Sequence, residues 1–503
     1  MFGWVMNCGG RLMVSRQIFI RHQKPKRKEQ MKSKFFFSLL FLLINVAAQG
    51  KNLQDTLFYK NFLSIVKAYH PIAQQANLLS GLAQAKRTKA LGGFDPKIEA
   101  EFDQKYFNGT RYYSFFTPQL KLPLWYGVEL KGSYSTADGV YLNPESKLPK
   151  EGLAYAGISF NLGKGLFIDE RRADLKKAQI FAESYKNEGA IALNDLFLDA
   201  GTQYIDWQTK YKLVKVYQNA LKLAKERQRA VILSVKNGDK PAIDSVEALL
   251  TVRQREISLQ EANLDFKSSQ QLLSDFLWRN NNQNIDANKL EIVPQDLFIQ
   301  PVDVNGGISD NPKLLNYDFK IKELNIERKL KADNLKPELK VQLGLLNEGK
   351  TFIGPINSAY YQNNNKVNVG FSFPLTLAKA RGDLAETKIK IKQTELAQID
   401  LRNQLTNKIT QNNFEIATLE SQIKLLQSTY TFSNQLLTGE ETKFKLGESS
   451  LFLINSRENK LIEVTEKLLN TEFKLHKAKI KNLWILGNIG GSIDDEPDVN
   501  LLK

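Results

Sequence analysis

Residues 409–447 read ITQNNFEIATLESQIKLLQSTYTFSNQLLTGEETKFKLG, and apolar positions recur in it every seven: Ile409, Ile416, Ile423, Tyr430, Leu437 and Phe444. A heptad sustained that far specifies a long helix with partner helices along its seam, because a lone helix cannot bury the stripe. No proline interrupts the pattern from about Ala378 onward, and Gly447 ends it, where a glycine supplies a left-handed C-terminal cap. A second heptad lies upstream, through Leu193, Ala200, Trp207, Val214, Leu221, Gln228 and Val235. Moving 209 positions along carries Ala200 onto Ile409, Trp207 onto Ile416, Val235 onto Phe444 and Gly238 onto Gly447. Each copy therefore predicts a helix of roughly 67 residues, near 100 Å long, from about Asp169 to Lys236 and from about Ala378 to Leu446.

Both helices end in a turn and a return stroke. The turns are Asn237-Gly238-Asp239-Lys240-Pro241 and Gly447-Glu448-Ser449-Ser450. The return helices carry heptads of their own, Ile243, Leu250, Ile257, Leu264 and Ile454, Leu461, Leu468, Leu475. Upstream of each hairpin the repeat continues. His70-Pro71 and Asn311-Pro312 open helical stretches, and Pro96 or Pro337 closes them at the same spacing. Alternating apolar residues then signal strands: Ile98, Ala100 and Phe102 in the first copy, Leu339, Val341, Leu343 and Leu345 in the second. Gly157 to Leu162 and Gly370 to Leu375 share the pattern G-x-S-F-x-L and close the two β sections.

Between the strand signals of the first copy stand Tyr106, Phe107, Tyr112, Tyr113, Phe115, Phe116, Trp125, Tyr126 and Tyr134. This density suits the aromatic girdles of a membrane barrel, and it suits an aromatic-rich soluble sheet equally. The tracts Arg111 to Leu122 and Tyr126 to Ser135 leave room for extra strands there. The domain reading is a first repeat at 51–278, an Asn/Gln-rich linker at 279–307 with Pro294, Pro301 and Gly306-Gly307, a second repeat at 308–486, and a C-terminal tail at 487–503.

The N-terminus reads as an export signal. Lys32 and Lys34 precede the apolar run Phe35 to Val46 and the small residues Ala47-Ala48, so 31–48 is expected to be a signal peptide cut after Ala48. Residues 1–30 read as a mis-assigned upstream leader; the other reading is an unusually long basic region of the signal. Residues 1–50 hold nine Lys/Arg against the single acid Glu29, which is half of the formal +16. What remains is an ordinary solvated surface, so nucleic acid is not an expected partner. The one cysteine, Cys8, lies in that leader, so neither a disulfide nor a lipid-modified cysteine is expected in the mature chain. Three scattered histidines, His22, His70 and His476, form no metal motif. Gly157 to Gly165 has the wrong spacing for a phosphate loop, and no paired acids mark a cleft, so no catalytic residue and no cofactor is expected.

Two strand sections on an exported chain, each fused to a helical hairpin near 100 Å long, would leave open strand edges and bare heptad seams in a monomer; oligomerisation removes both. At this point the mature chain resembles the TolC-like outer-membrane efflux proteins. The residues carrying the resemblance are the X-Pro openings at Pro71 and Pro312, the G-x-S-F-x-L strands, and the two turns. It implies an α+β membrane protein in which long antiparallel helical hairpins form a periplasmic α-barrel and the strands join a shared transmembrane β-barrel, twelve-stranded in a homotrimer. It further implies a passive channel in outer-membrane lipid, reaching into the periplasm and meeting a periplasmic adaptor coupled to an inner-membrane pump. The adaptor would be contacted at Gly238, Asp239, Pro241, Gly447, Glu448 and Ser449, with Asp244 and Glu247 as candidate entrance acids. The competing readings are a periplasmic adaptor, which needs one hairpin flanked by small β domains where this chain has two, and a coiled-coil scaffold, against which the signal and the aromatic strands weigh.

Overall fold

The computed structural model describes residues 55–290, 292–295, 308–352, 354 and 358–489. The segments read above as leader and signal peptide, part of the expected linker and all but the first residues of the tail lie outside them. In chain order, β1 (Asp55–Leu57) leads to α1 (Tyr59–Tyr69) and α2 (Pro71–Leu91), then to β2 (Lys97–Phe107), β3 (Thr110–Pro123), β4 (Val128–Asp138) and β5 (Leu153–Gly163). A hairpin follows, α3 (Glu170–Lys236) and α4 (Ala242–Leu273), and then β6 (Trp278–Arg279), β7 (Gln283–Asn284) and β8 (Ile292–Pro294). The rest is α5 (Pro312–Asp333), β9 (Glu338–Glu348), the short α6 (Ser358–Asn363), β10 (Asn365–Ser372) and a second hairpin, α7 (Ala378–Lys445) and α8 (Leu451–Leu486).

α3 has 67 residues and α7 has 68, each about 100 Å at about 1.5 Å per residue. Proline opens α2 and α5 at their first position, where its missing N–H costs nothing. The preceding side chains cap the helices: His70 Nδ1 accepts from the Ile72 N–H at 3.2 Å, and Asn311 Oδ1 from the Lys313 N–H at 2.7 Å. In the half of α3 near the turn, α4 and α8 flank it; in its other half α2 and α5 do. α7 packs on α8 and on α5. The helices thus form one layer, with α4 and α2 along one flank and α7 along the other.

The largest apolar core lies partway along α3, where the small elements gather. Phe62, Phe197, Tyr204, Trp207, Leu273 and Leu277 are buried together there. The Tyr204 hydroxyl donates to the Leu57 carbonyl at 2.5 Å, and it accepts from the Gln295 N–H at 3.1 Å. The Asn-rich segment read as a linker contributes to this core. β6 and β7 form a small hairpin whose turn places Asn281 and Asn282 at positive φ, which asparagine tolerates better than most residues. β8 pairs in parallel with β1, and Ala287 and Ile292 are buried.

Six strands make one antiparallel sheet in the order β10-β9-β5-β4-β3-β2. A polar clamp fixes it to the helices. Arg172, buried, donates to the Leu166 carbonyl at 3.0 Å, to the Gly165 carbonyl and to Asp169 Oδ1 at 3.2 Å. Buried Asp333 accepts from the Gly165 N–H and from Lys336 Nζ, both at 2.5 Å.

Candidate functional site

Three surfaces are candidates: the faces of the sheet, the flanks of the helical layer and the hairpin tips. The sheet sorts its side chains by chemistry. Register places Ile98 opposite Leu120, Phe102 opposite Phe116, Leu122 opposite Leu130, Leu130 opposite Ile158, Ile158 opposite Leu343, and Leu343 opposite Val367. Side chains alternate across a strand, so these residues share one face. That face is bare: Ile98 is 82% exposed, and Phe102, Val367, Val369 and Phe371 are exposed as well. The other face carries Glu99, Glu101, Lys121, Lys131, Gln342 and Lys366, with Lys121 Nζ 2.6 Å from Glu99 Oε2.

Aromatic side chains stand at both ends of the strands. At the helix end, Trp125 stacks on Phe94 with centroids 5.3 Å apart, and Tyr126 and Phe167 are exposed. At the far end, Tyr106, Phe107 and Tyr141 are exposed, and Tyr141 packs on Tyr112 at 4.8 Å between centroids. Eleven-residue strands rise about 36 Å, or about 25 Å when tilted near 45°, the height of a barrel's apolar band.

The flanks of the helical layer are apolar. On α4 the heptad Ile243, Leu250, Ile257, Leu264 faces outward, with Ile243 68% exposed. On α7 the exposed residues include Ile389, Leu396, Leu425 and Phe432. The corresponding heptad of α8 behaves oppositely, since Ile454 and Leu475 are buried. Both sheet edges are bare too, with every residue of β2 and of β10 exposed.

The tips share one cap. Gly238 and Gly447 have φ of +81° and +79°. Their N–H groups donate to Val235 and Phe444 carbonyls, each at 3.1 Å. The next residues, Asp239 and Glu448, donate to Ser234 and Lys443 carbonyls, each at 2.9 Å. This is the Schellman arrangement in both tips. A Cβ at either glycine would meet nothing within 4 Å, so the left-handed φ alone calls for glycine.

Gly238, Asp239, Pro241, Gly447 and Glu448 are exposed, and Pro241 caps α4. Ser449 is half-buried and donates its hydroxyl to Glu440 Oε1 at 2.5 Å. Asp244 lies half-buried in the first turn of α4, where the helix dipole favours a carboxylate. Glu247 is turned toward α8 and accepts from Asn455 Nδ2 at 3.3 Å. The tips touch each other: Lys240 Nζ sits 3.6 Å from the Phe444 ring centroid, over a small core of Val231, Ala248 and Leu451.

Above that core lies a buried polar cluster that no motif announces. Glu458 of α8, 3% exposed, accepts through Oε2 from Arg227 of α3 at 3.0 Å and from Arg255 of α4 at 3.4 Å. Arg255 also donates to Asn459 Oδ1 at 2.6 Å, and Glu441 of α7 stands 3.7 Å from Arg227. One cluster therefore ties together all four helices of the two hairpins. Its sequence signal is faint: charged residues on helices otherwise read as solvated faces.

Among the described residues no group of His, Cys, Asp and Glu could hold a metal ion, and no helix is long and apolar enough to cross a membrane. The latter leaves a β-barrel open.

No family model matches the chain, and no curated protein matches it. Solved structures do. The outer membrane protein VceC of Vibrio cholerae superposes with a TM-score of 0.62 at 12% identity, over 85% of this chain and 95% of that one. The open state of the MtrE outer membrane channel of Neisseria gonorrhoeae gives 0.63 at 12% identity, over 87% and 90%. The CmeC outer membrane channel of Campylobacter jejuni gives 0.61 at 11% identity, over 87% and 86%. The fold is that of outer-membrane channels. At 11–12% identity the likeness is one of fold.

Proposed function

We propose that this chain is the passive, trimeric outer-membrane channel of a tripartite efflux or secretion system, carrying solutes across the periplasm and the outer membrane. The observation that carries the proposal is the six-stranded sheet with one apolar, exposed face and two open edges. Such a sheet is unstable in water, and in lipid its edges must be paired. Copies of this chain satisfy both demands. The flanks are apolar on both sides, so α7 of one protomer meets α4 of the next, head to tail, in a ring. The strands close in the bilayer as a shared barrel, and the helices enclose a periplasmic tube.

The same reading takes the chain as two repeats, 51–278 and 308–486, joined through 279–307 and preceded by a cleaved signal at 31–48. The shared cap geometry supports it, because Lys236 and Lys445 end their helices 209 positions apart (445 minus 236). Gly238, Asp239, Pro241, Gly447, Glu448 and Ser449 form the surface for a periplasmic adaptor coupled to an inner-membrane pump. Asp244 and Glu247 are entrance acids in this reading, although Glu247 is engaged by Asn455. The test is the molar mass of protein extracted from outer membranes in mild detergent, by light scattering with the detergent subtracted. Three protomers are expected. A monomer, or a protein found free in the periplasm, refutes the channel and leaves the adaptor or scaffold.

A further inference from the structure

We infer that each protomer gives all six strands of its sheet to the barrel, so that the trimer closes eighteen strands instead of twelve, with β2 of one copy paired to β10 of the next. This rests on the ring proposed above and specifies its membrane part. The strands in question are β2 and β3, which lie farthest from β9 and β10. They carry the same division of faces as the rest: Ile98, Ala100 and Phe102 lie opposite Leu120, Pro118 and Phe116, on the face that bears Leu343 and Val369. Glu99, Glu101 and Lys121 stand on the other. A hairpin lying outside the bilayer would leave that apolar face in water.

The ladder and the strand directions agree. β3 pairs with β4 from Gln119–Ser133 through Pro123–Glu129 and again from Ser114–Asp138 to Phe116–Thr136, so removing β2 and β3 from the sheet breaks those bonds. β10 runs opposite to β9, and β9, β4 and β2 run alike, so β10 meets β2 antiparallel, as an even-stranded barrel requires. The β3–β4 turn supplies Trp125 and Tyr126 to the aromatic ring at the helix end. Width agrees as well. Six strands spaced about 4.8 Å and tilted about 40° cover about 38 Å of circumference, and four helices spaced about 9.5 Å also cover about 38 Å. Four strands would cover only about 25 Å. Eighteen strands enclose a backbone diameter near 36 Å, against about 24 Å for twelve, which roughly doubles the cross-section open to solutes.

Disulfide trapping in outer membranes tests this, in a Cys8→Ser background. Val369→Cys on β10 is combined in turn with Ile98→Cys, Ala100→Cys or Phe102→Cys on β2, and separately with Leu130→Cys, Gly132→Cys or Tyr134→Cys on β4. Covalent trimers from a β2 pair are the expected result. Trimers linked only through β4 would overturn the eighteen-strand barrel while leaving the channel intact. If no pair links, a strand count by electron cryomicroscopy of the unaltered trimer decides: eighteen supports the inference and twelve refutes it. A protein that is not trimeric refutes this inference together with the ring.

Discussion

Replacing Glu458 by alanine tests whether the tips are held by their buried charge cluster. The carboxylate is 3% exposed and serves two guanidinium groups, Arg227 at 3.0 Å and Arg255 at 3.4 Å. Its removal leaves both cations buried. Arg255 keeps Asn459, and Arg227 keeps Asn455 Oδ1 at 3.4 Å and the longer approach to Glu441. Breaking a buried pair in this way typically costs about 3–5 kcal/mol. The lower figure applies here, because Glu458 Oε1 and Arg255 Nε make no hydrogen bond among the described residues and the intact cluster is imperfect. The tips lie far along the helices from the main core, so the loss appears as local opening. About 3 kcal/mol corresponds to a rise of roughly 150-fold in amide exchange, read by mass spectrometry across 227–258 and 440–460. Glu458→Gln retains an acceptor and should give a smaller rise. Exchange within about threefold of the parent, in an assembly of unchanged mass, would show that apolar packing under Lys240 and Phe444 holds the tips without the charges.

Ile257→Asp puts a charge on the outward heptad of α4, and its desolvation costs about 2 kcal/mol or more at each contact of the proposed ring; light scattering should show smaller species with unchanged helical content. Val341→Arg, on the apolar face in mid-strand, should lose about 2–4 kcal/mol of folded stability in vesicles, whereas Gln342→Arg on the opposite face is tolerated; equal effects would mean that the apolar face does not meet lipid. His476 is pushed down to about 4 by burial, with Lys479 and Lys212 adding to the shift. The unfolded chain takes up a proton near 6.5 that the folded chain takes up only near 4. Stability is therefore full above about 6.5 and falls between there and about 4, by up to about 3 kcal/mol. His476→Gln should flatten that part of the curve in denaturant titrations run from pH 4 to 7.5.

The long helices were legible because a heptad has few alternative readings over such a length, and because glycine marks the ends. Gly238 and Gly447 occupy the left-handed region that the caps demand. The strands β3 and β4 were legible as tracts, but their place in a single sheet was not, since alternation specifies a face and leaves the neighbour undetermined. The structure inside the Asn-rich segment was illegible for a related reason. Its composition matches a linker, yet Asn281 and Asn282 serve a tight hairpin, and β8 finds its partner more than two hundred residues earlier in β1. Glu458, Arg227 and Arg255 were invisible because charges on a helix announce burial only through partners on other helices.

The two return strokes show what a periodic pattern withholds. Ile243, Leu250, Ile257 and Leu264 have the same spacing as Ile454, Leu461, Leu468 and Leu475, and as strings they are equivalent. In the fold, α8 lies between α3 and α7 and turns its stripe inward, whereas α4 is the outermost helix and turns its stripe out. A heptad states that a partner helix exists; whether it belongs to the same chain is decided by position in the layer. The same reasoning applies to the sheet, where β5 and β9 are covered on both sides by neighbouring strands and β2 and β10 are not. The bare stripe on α4 and the bare edge on β2 belong to the flank that also holds α2, while α7 and β10 form the opposite one. Unsatisfied surfaces of matching kind at both flanks, one set in the strands and one in the helices, are what a head-to-tail ring requires. A self-complementary two-fold dimer would pair like flanks and leave the opposite strand edges and stripes open.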